Sequence, residues 1–161
     1  MGRNTRRDPM TTGSEQAKLD STKSALHPDC IVCSSANIKG LKIDFKAVEE
    51  GKVESKFVCE EKFEGYPGMM HGGIIASILD GAMGNCMFAF GKATVTVEMT
   101  TRYRLPVVIG TEATVSARLI RNSHPLYILE AQIEQDSKIR ATAKGKFYYQ
   151  PQLEKHMKPD F

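Results

Sequence analysis

Apolar and polar positions divide this chain into one long unbroken apolar segment and several alternating ones. Between residues 70 and 90, the apolar residues Ile74, Ile75, Ile78, Leu79, Ala82, Met83, Cys86, Met87 and Phe90 fall on nearly every side of a helical wheel. A helix that is apolar all round is a buried helix. Residues 41–48 alternate apolar with polar, the period of a half-buried strand. Glu49-Glu50-Gly51-Lys52 then turns the chain, and 53–59 is the return strand of a hairpin. Gly65-Tyr66-Pro67-Gly68 bends the chain before the helix, and Gly91 stops it afterwards. Four more strands are predicted at 93–103, 111–120, 126–135 and 139–149, with turns at 121–125 and at Asp136-Ser137.

The order is strand, strand, helix, then four strands. Neighbours joined by hairpins make an antiparallel sheet, and one apolar helix on one apolar sheet face is a two-layer α+β domain. About six strands therefore wrap around one long central helix. One sheet face does not cover a helix that is apolar all round. Its other side, with Gly81 and Gly84, is expected against a second copy in a symmetric dimer. Residues 1–25 are polar, with almost no apolar pattern, and are expected to be a flexible tail. Residues 26–150 form the domain, and 151–161 a polar C-terminal tail.

Two features of the helix carry candidate chemistry. Asp80 is its only carboxylate, with no cation within one turn. Burying a carboxylate alone costs several kcal/mol unless it finds a partner or keeps its proton. At the N-terminus, His71-Gly72-Gly73 exposes amide N–H groups that no intrahelical carbonyl satisfies. Those donors and the helix dipole suit an anion or a developing oxyanion. The mouth and the carboxylate lie a little over two turns apart, a span that a small reacting group is expected to bridge.

Composition narrows the classes. With 161 residues, 41% hydrophobic and 25% charged, the chain suits one globular domain. A net charge of +3 without an aromatic-interleaved basic run gives no reason to expect nucleic acid. The apolar helix is about long enough to cross a bilayer, but Asp80 and the glycines argue against that. The opening residues carry no charged–apolar–small signal, so a cytoplasmic protein with reduced cysteines is expected. Cys30-x-x-Cys33, with His27 three residues earlier, is a weak zinc signal, since a structural site wants a fourth ligand. The favoured expectation there is a small reduced loop with no metal.

Three stretches carry a family resemblance. Glu64-Gly65-Tyr66-Pro67-Gly68-Met69-Met70-His71-Gly72-Gly73, then Leu79-Asp80, then Arg102-Tyr103-Arg104-Leu105-Pro106 resemble the hot-dog-fold acyl-CoA thioesterases, nearest their phenylacetate-pathway (PaaI-like) branch. The likeness spans about residues 27–149 and includes the Cys30–Cys33 loop before Gly40-Leu41. It implies hydrolysis of an acyl-CoA, without a cofactor, by a homodimer or dimer of dimers with the site at the dimer interface. The catalytic carboxylate maps onto Asp80 and the oxyanion amide onto Gly72, flanked by His71 and Gly73. A water-holding hydroxyl from the other subunit's strand maps onto Thr96. Gly65 stands where several family members carry Asn or Gln.

Four residues are expected at the substrate: Gly65, Met70, Arg102 and Arg104. The two arginines share one strand face by period two, and guanidinium forks suit the phosphates of CoA. A non-catalytic acyl-CoA-binding or regulatory module on the same fold is the alternative function. A hot-dog dehydratase would want a catalytic His paired with an acid in a different local motif.

Overall fold

The computed structural model describes residues 9–157, and the side chains from residue 13. Helix α1 is Pro9–Leu26 and helix α2 is Gly72–Phe88. The strands are β1 Lys46–Glu49, β2 Lys52–Val58, β3 Thr94–Tyr103, β4 Glu112–Ser123, β5 Leu126–Gln135 and β6 Lys138–Tyr149. They form one six-stranded antiparallel sheet in the order β1-β2-β4-β5-β6-β3. This is the expected α+β architecture, with a curled sheet and one long central helix.

Helix α2 lies across one face of the sheet and touches β2 through β6. Alternate residues of the strands point at it: Val115 and Ala117 from β4, Leu129 and Ile133 from β5, Ala141 and Phe147 from β6, all buried. Ile78, Leu79, Met83 and Met87 answer from the helix with no exposed surface. Each such side chain contributes about 1.5–3 kcal/mol by leaving water. Helix and sheet approach closely at Gly145, where a Cβ would come within 3.0 Å of Met83 Sδ.

Residues 9–26, expected as part of a flexible tail, are instead a helix. Its buried stripe is Glu15, Leu19 and Thr22, at the spacing i, i+4, i+7. Two of the three are polar, so no apolar period marks the helix in the sequence. It packs on α2 and β1, and the Gln16 side-chain oxygen accepts the Ala47 N–H at 2.8 Å. The remaining parts of the expected tails, 1–8 and 158–161, lie outside the described residues. Pro151–His156 is a 3-10 turn, tied down by Gln150 N–H to Ala93 O at 2.8 Å and by Tyr149 to Glu154.

The strand expected at 41–48 is only partly a strand. Its second half is β1. Its first half runs along the preceding loop, with Leu41 N–H on Ile31 O (2.8 Å) and Ile43 N–H on Val32 O (2.9 Å). The alternation survives as burial, because Ile43 and Phe45 point inward while Lys42 and Asp44 face solvent. The left-handed backbone at Lys42 (φ 52°) keeps that half off the sheet ladder. Strand β4 likewise runs three residues further than expected, and the turn moves to His124-Pro125, joined by a cis peptide bond.

This rearranged N-terminal segment covers Gly81, part of the side of α2 that was expected against a second copy. A Cβ on Gly81 would meet Val32 Cγ1 at 2.5 Å, so the glycine is there to seat Val32 of the same chain. Gly84 has nothing within 4 Å of its missing Cβ.

Candidate active site

The mouth of α2 is shaped by a small closed turn. Glu64 bridges to Met70, Gly65 N–H bonds Met69 O at 2.8 Å, and the Glu64 carboxylate accepts the Gly68 N–H at 3.0 Å. This folds Gly65 onto His71, where a Cβ would stand 3.0 Å from the His71 Cα. Gly65 is thus a glycine for close approach, and it does lie beside the helix mouth.

His71 is the N-cap of α2, and its Nδ1 accepts the Gly73 N–H at 2.9 Å. A side chain on an N-cap that takes an orphan amide stabilises the helix end. The Ile74 and Ile75 amides bond His71 O at 3.0 and 3.1 Å. Gly73 therefore has no amide to offer a substrate, and the Nδ1 of the His71 ring is committed to holding the mouth. The Gly72 N–H has no acceptor among the described residues. The Gly72 carbonyl is held by Tyr103 Oη at 2.8 Å. Sequence reasoning passed over Tyr103, although the period-two rule from Arg102 and Arg104 puts it on the opposite face.

Further along the helix, Asp80 is half-buried rather than walled in. Thr96 Oγ1 donates to Asp80 Oδ1 at 2.6 Å, and this is the only hydrogen bond to Asp80 among the described residues. The hydroxyl comes from the same chain, not from another subunit as the resemblance implied. A bulge makes the contact possible. The β3–β6 register shifts between Thr96 and Glu98, which reverses the side-chain alternation along β3. Before the bulge Thr96 faces the helix. After it Tyr103 does, while Glu98, Thr100 and Arg102 turn to the other face.

The expected site residues therefore fall into three groups. His71, Gly72, Gly73 and Gly65 gather at the helix mouth. Asp80 and Thr96 form a second group, eight residues further on, about 12 Å along the axis from Gly72 at 1.5 Å per residue. No single thioester touches both in one chain, which corrects the expectation that a small reacting group bridges them.

Arg102 and Arg104 form the third group. They line a groove of about 800 Å³ on the far face of the sheet, with Lys52, Arg118, Lys144 and Lys146. That face is turned away from Asp80, so the structure does not join these arginines to the carboxylate. Met70 is also out of reach, only 5% exposed in the core with its N–H on Val107 O.

Away from these groups, the ligand atoms of His27, Cys30 and Cys33 all lie within 4.8 Å of one another. Burial pushes the other two thiols up, Cys59 to about 11 and Cys86 to about 12, where they are inert. Among the described residues, no helix is long and apolar enough to cross a membrane.

Comparison with known proteins agrees with this architecture. Residues 67–138, from the turn before α2 to the start of β6, match the family model of the thioesterase superfamily. A phenylacetic acid degradation-related protein from Ralstonia eutropha is 25% identical, with a TM-score of 0.62 over 67% of this chain and 85% of its own. The PaaI protein of the phenylacetic acid degradation operon of E. coli has a TM-score of 0.71 at 20% identity, over 84% of this chain and 95% of its own. A Streptococcus mutans protein whose structure is bound to acetyl CoA has a TM-score of 0.64 at 19% identity, over 67% and 88%. One further thioesterase superfamily protein is matched over only 61% of its own length. A sheet curled around α2 and these likenesses give the chain the hot-dog fold, and its residues 67–138 match the thioesterase superfamily, with PaaI proteins among the similar structures.

Proposed function

We propose that the protein hydrolyses the thioester of an acyl-CoA to free acid and CoA, at a site completed by two copies of the chain. Asp80 and Thr96 come from one protomer, and the Gly72 N–H comes from the other. The observation that carries this reading is the Thr96–Asp80 hydrogen bond on β3, the strand at the open end of the sheet order. A second copy meeting that edge brings its own helix mouth toward the carboxylate, which removes the 12 Å problem. The acetyl CoA bound to the Streptococcus mutans relative supports the substrate class.

In the proposed reaction, the thioester carbonyl oxygen takes the Gly72 N–H, a donor aimed where negative charge develops. Removing such a donor typically costs about 10²–10³ in rate. Thr96 fixes one carboxylate oxygen of Asp80 and leaves the other for chemistry. Asp80 either removes a proton from water as its oxygen adds to the carbonyl carbon, or adds itself. In the first route the tetrahedral intermediate expels the CoA thiolate, which takes up the proton. In the second the thiolate leaves a mixed anhydride that water then opens. Single turnover in ¹⁸O-water tests for the anhydride, because label enters Asp80 only when water opens an anhydride at the aspartyl carbonyl.

The test measures thiol release from a panel of acyl-CoAs, with two variants. Asp80→Asn removes the base. Gly72→Pro removes the free N–H at the first helical position, where proline is well tolerated and the extended His71 (ψ 134°) suits a following proline. Each alone loses turnover. Co-expressed, the mixed dimer regains activity, because one of its two sites pairs an intact Asp80 with an intact Gly72. Failure of that rescue in an isolated mixed dimer places the whole site in one chain and ends the shared-site reading. Wild-type protein that binds acyl-CoA tightly without turning it over is a binding module instead.

A further inference from the structure

We propose that His27, Cys30 and Cys33 hold a zinc ion that fastens the loop between α1 and β1 to the flank of α2. A tetrahedral zinc with ordinary Zn–S and Zn–N bonds sets its ligands about 3.6–3.8 Å apart. His27 Nδ1 and Cys33 Sγ stand 3.5 Å apart, and all three ligand atoms fit within 4.8 Å. The ring is thus already at a ligand's distance from the sulfur. A disulfide between the two cysteines would leave that convergence of His27 without a use.

The surroundings are those of a thiolate site. Val32 N–H donates to Cys30 Sγ at 3.3 Å, two residues along the chain, a backbone contact that stabilises negative sulfur. Other bonds fix the loop: Ser34 Oγ to Pro28 O at 2.6 Å, Asn37 Nδ2 to Asp29 O at 3.0 Å, and the His27 ring edge-on to Phe88.

The fourth position is open to water or to Asn85. This residue is fully buried on α2 beside Cys33, and its Nδ2 holds Gly81 O at 2.8 Å. Its Oδ1 is buried without a partner, a spare oxygen that can bind the ion or the water completing its shell. The consequence reaches the helix, because Val32, between the two cysteines, sits on Gly81, the residue after Asp80.

The experiment uses the full chain, purified without a chelator or a histidine tag. Elemental analysis should find about one zinc per chain. Exchange with Co²⁺ should give a thiolate-to-cobalt charge-transfer band and the visible bands of a tetrahedral ion. His27→Ala and the double variant Cys30→Ser/Cys33→Ser should lose both. Because these variants could fail to fold, wild-type protein treated with a chelator is the second arm. It should keep its circular dichroism, melt at a lower temperature, and let iodoacetamide reach Cys30, which the ion otherwise shields. Folded, reduced wild-type protein that holds no zinc and gives no charge-transfer band with Co²⁺ overturns the proposal. Undiminished zinc in a folded Cys30→Ser/Cys33→Ser variant also overturns it.

Discussion

The two halves of α2 each carry a pair of glycines and use them differently. At the mouth, Gly72 and Gly73 sit where backbone amides meet solvent. One amide is capped by His71 and the other is left free. In the second half, Gly81 is a socket for Val32 of the same chain, and Gly84 makes no close contact. The first pair serves exposed hydrogen-bond donors, whereas Gly81 serves packing. Much of the apolar girdle of the second half is therefore covered within the chain, by α1 and the 27–45 segment. In the proposed site a second copy meets the other half, near Asp80 and the β3 edge.

The sharpest way to separate the halves is to damage each. At the functional half, Asp80→Asn should lower the rate of thiol release about 10²–10⁴-fold while the thermal unfolding midpoint holds. An equal loss of stability and activity would make Asp80 a structural residue.

In the packed half, Gly81→Ala should cost stability first. Its Cβ would stand 2.5 Å from a β-branched side chain with little freedom to turn away. Overpacking of this kind costs about 1–3 kcal/mol. Val32→Ala in the same chain should return most of that loss, read as a coupling energy in a double-mutant cycle of urea midpoints. Two additive losses would mean that Val32 does not occupy the socket in solution.

These contrasts also explain what the sequence could and could not disclose. The β-β-α-β-β-β-β order was legible because hydrophobic period, glycine stops and turn residues agreed over each segment. Strand β5 and its hairpin to β6 were read to within a residue, whereas the turn between β4 and β5 was placed too early. Helix α1 was hidden because Glu15 and Thr22 fill two of its three buried positions. The bulge at Thr96 was hidden for another reason. Period two alone assigns Thr96 and Arg102 to one face, and only the register shift separates them. Spacing pointed to Asp80 and Gly72 as candidates, and their eight-residue separation on one helix already sets them about 12 Å apart, too far to share one substrate within a chain. The histidine and two cysteines could be counted in the sequence, while their convergence on one point depends on how the loop folds back.

Smaller effects refine the comparison at the mouth. His71→Ala removes the cap on Gly73 and should cost about 0.5–2 kcal/mol. His71→Asn keeps a capping oxygen and should recover most of it. If the asparagine variant is as stable as wild type yet fails in thiol release, the ring has a chemical duty beyond holding the helix. Gly84→Ala should do the opposite of Gly81→Ala and stabilise the chain by up to about 1 kcal/mol, since alanine favours the helix and nothing stands in its way. Destabilisation by Gly84→Ala would show that another chain covers that spot in solution, and would restore the partner to the second half of the helix.

The smallest effect is a slope with pH, and it tests the wall itself. Burial, and then the charge of Glu50, raise the Glu15 carboxyl above its ordinary value of 4.5. The folded chain thus keeps a proton at Glu15 that the unfolded chain has already released. Where the folded state binds more protons, stability falls as pH rises. The loss begins near the unfolded value and is complete once pH passes the raised folded one. Glu15→Gln has no proton to lose, so its stability should match wild type in acid and exceed it at neutral pH. Urea midpoints of the two proteins across that range provide the measurement, and their difference isolates Glu15 from every other carboxylate. Parallel curves would mean that Glu15 stays in water, with α1 standing away from α2 and the packed half of the helix open after all.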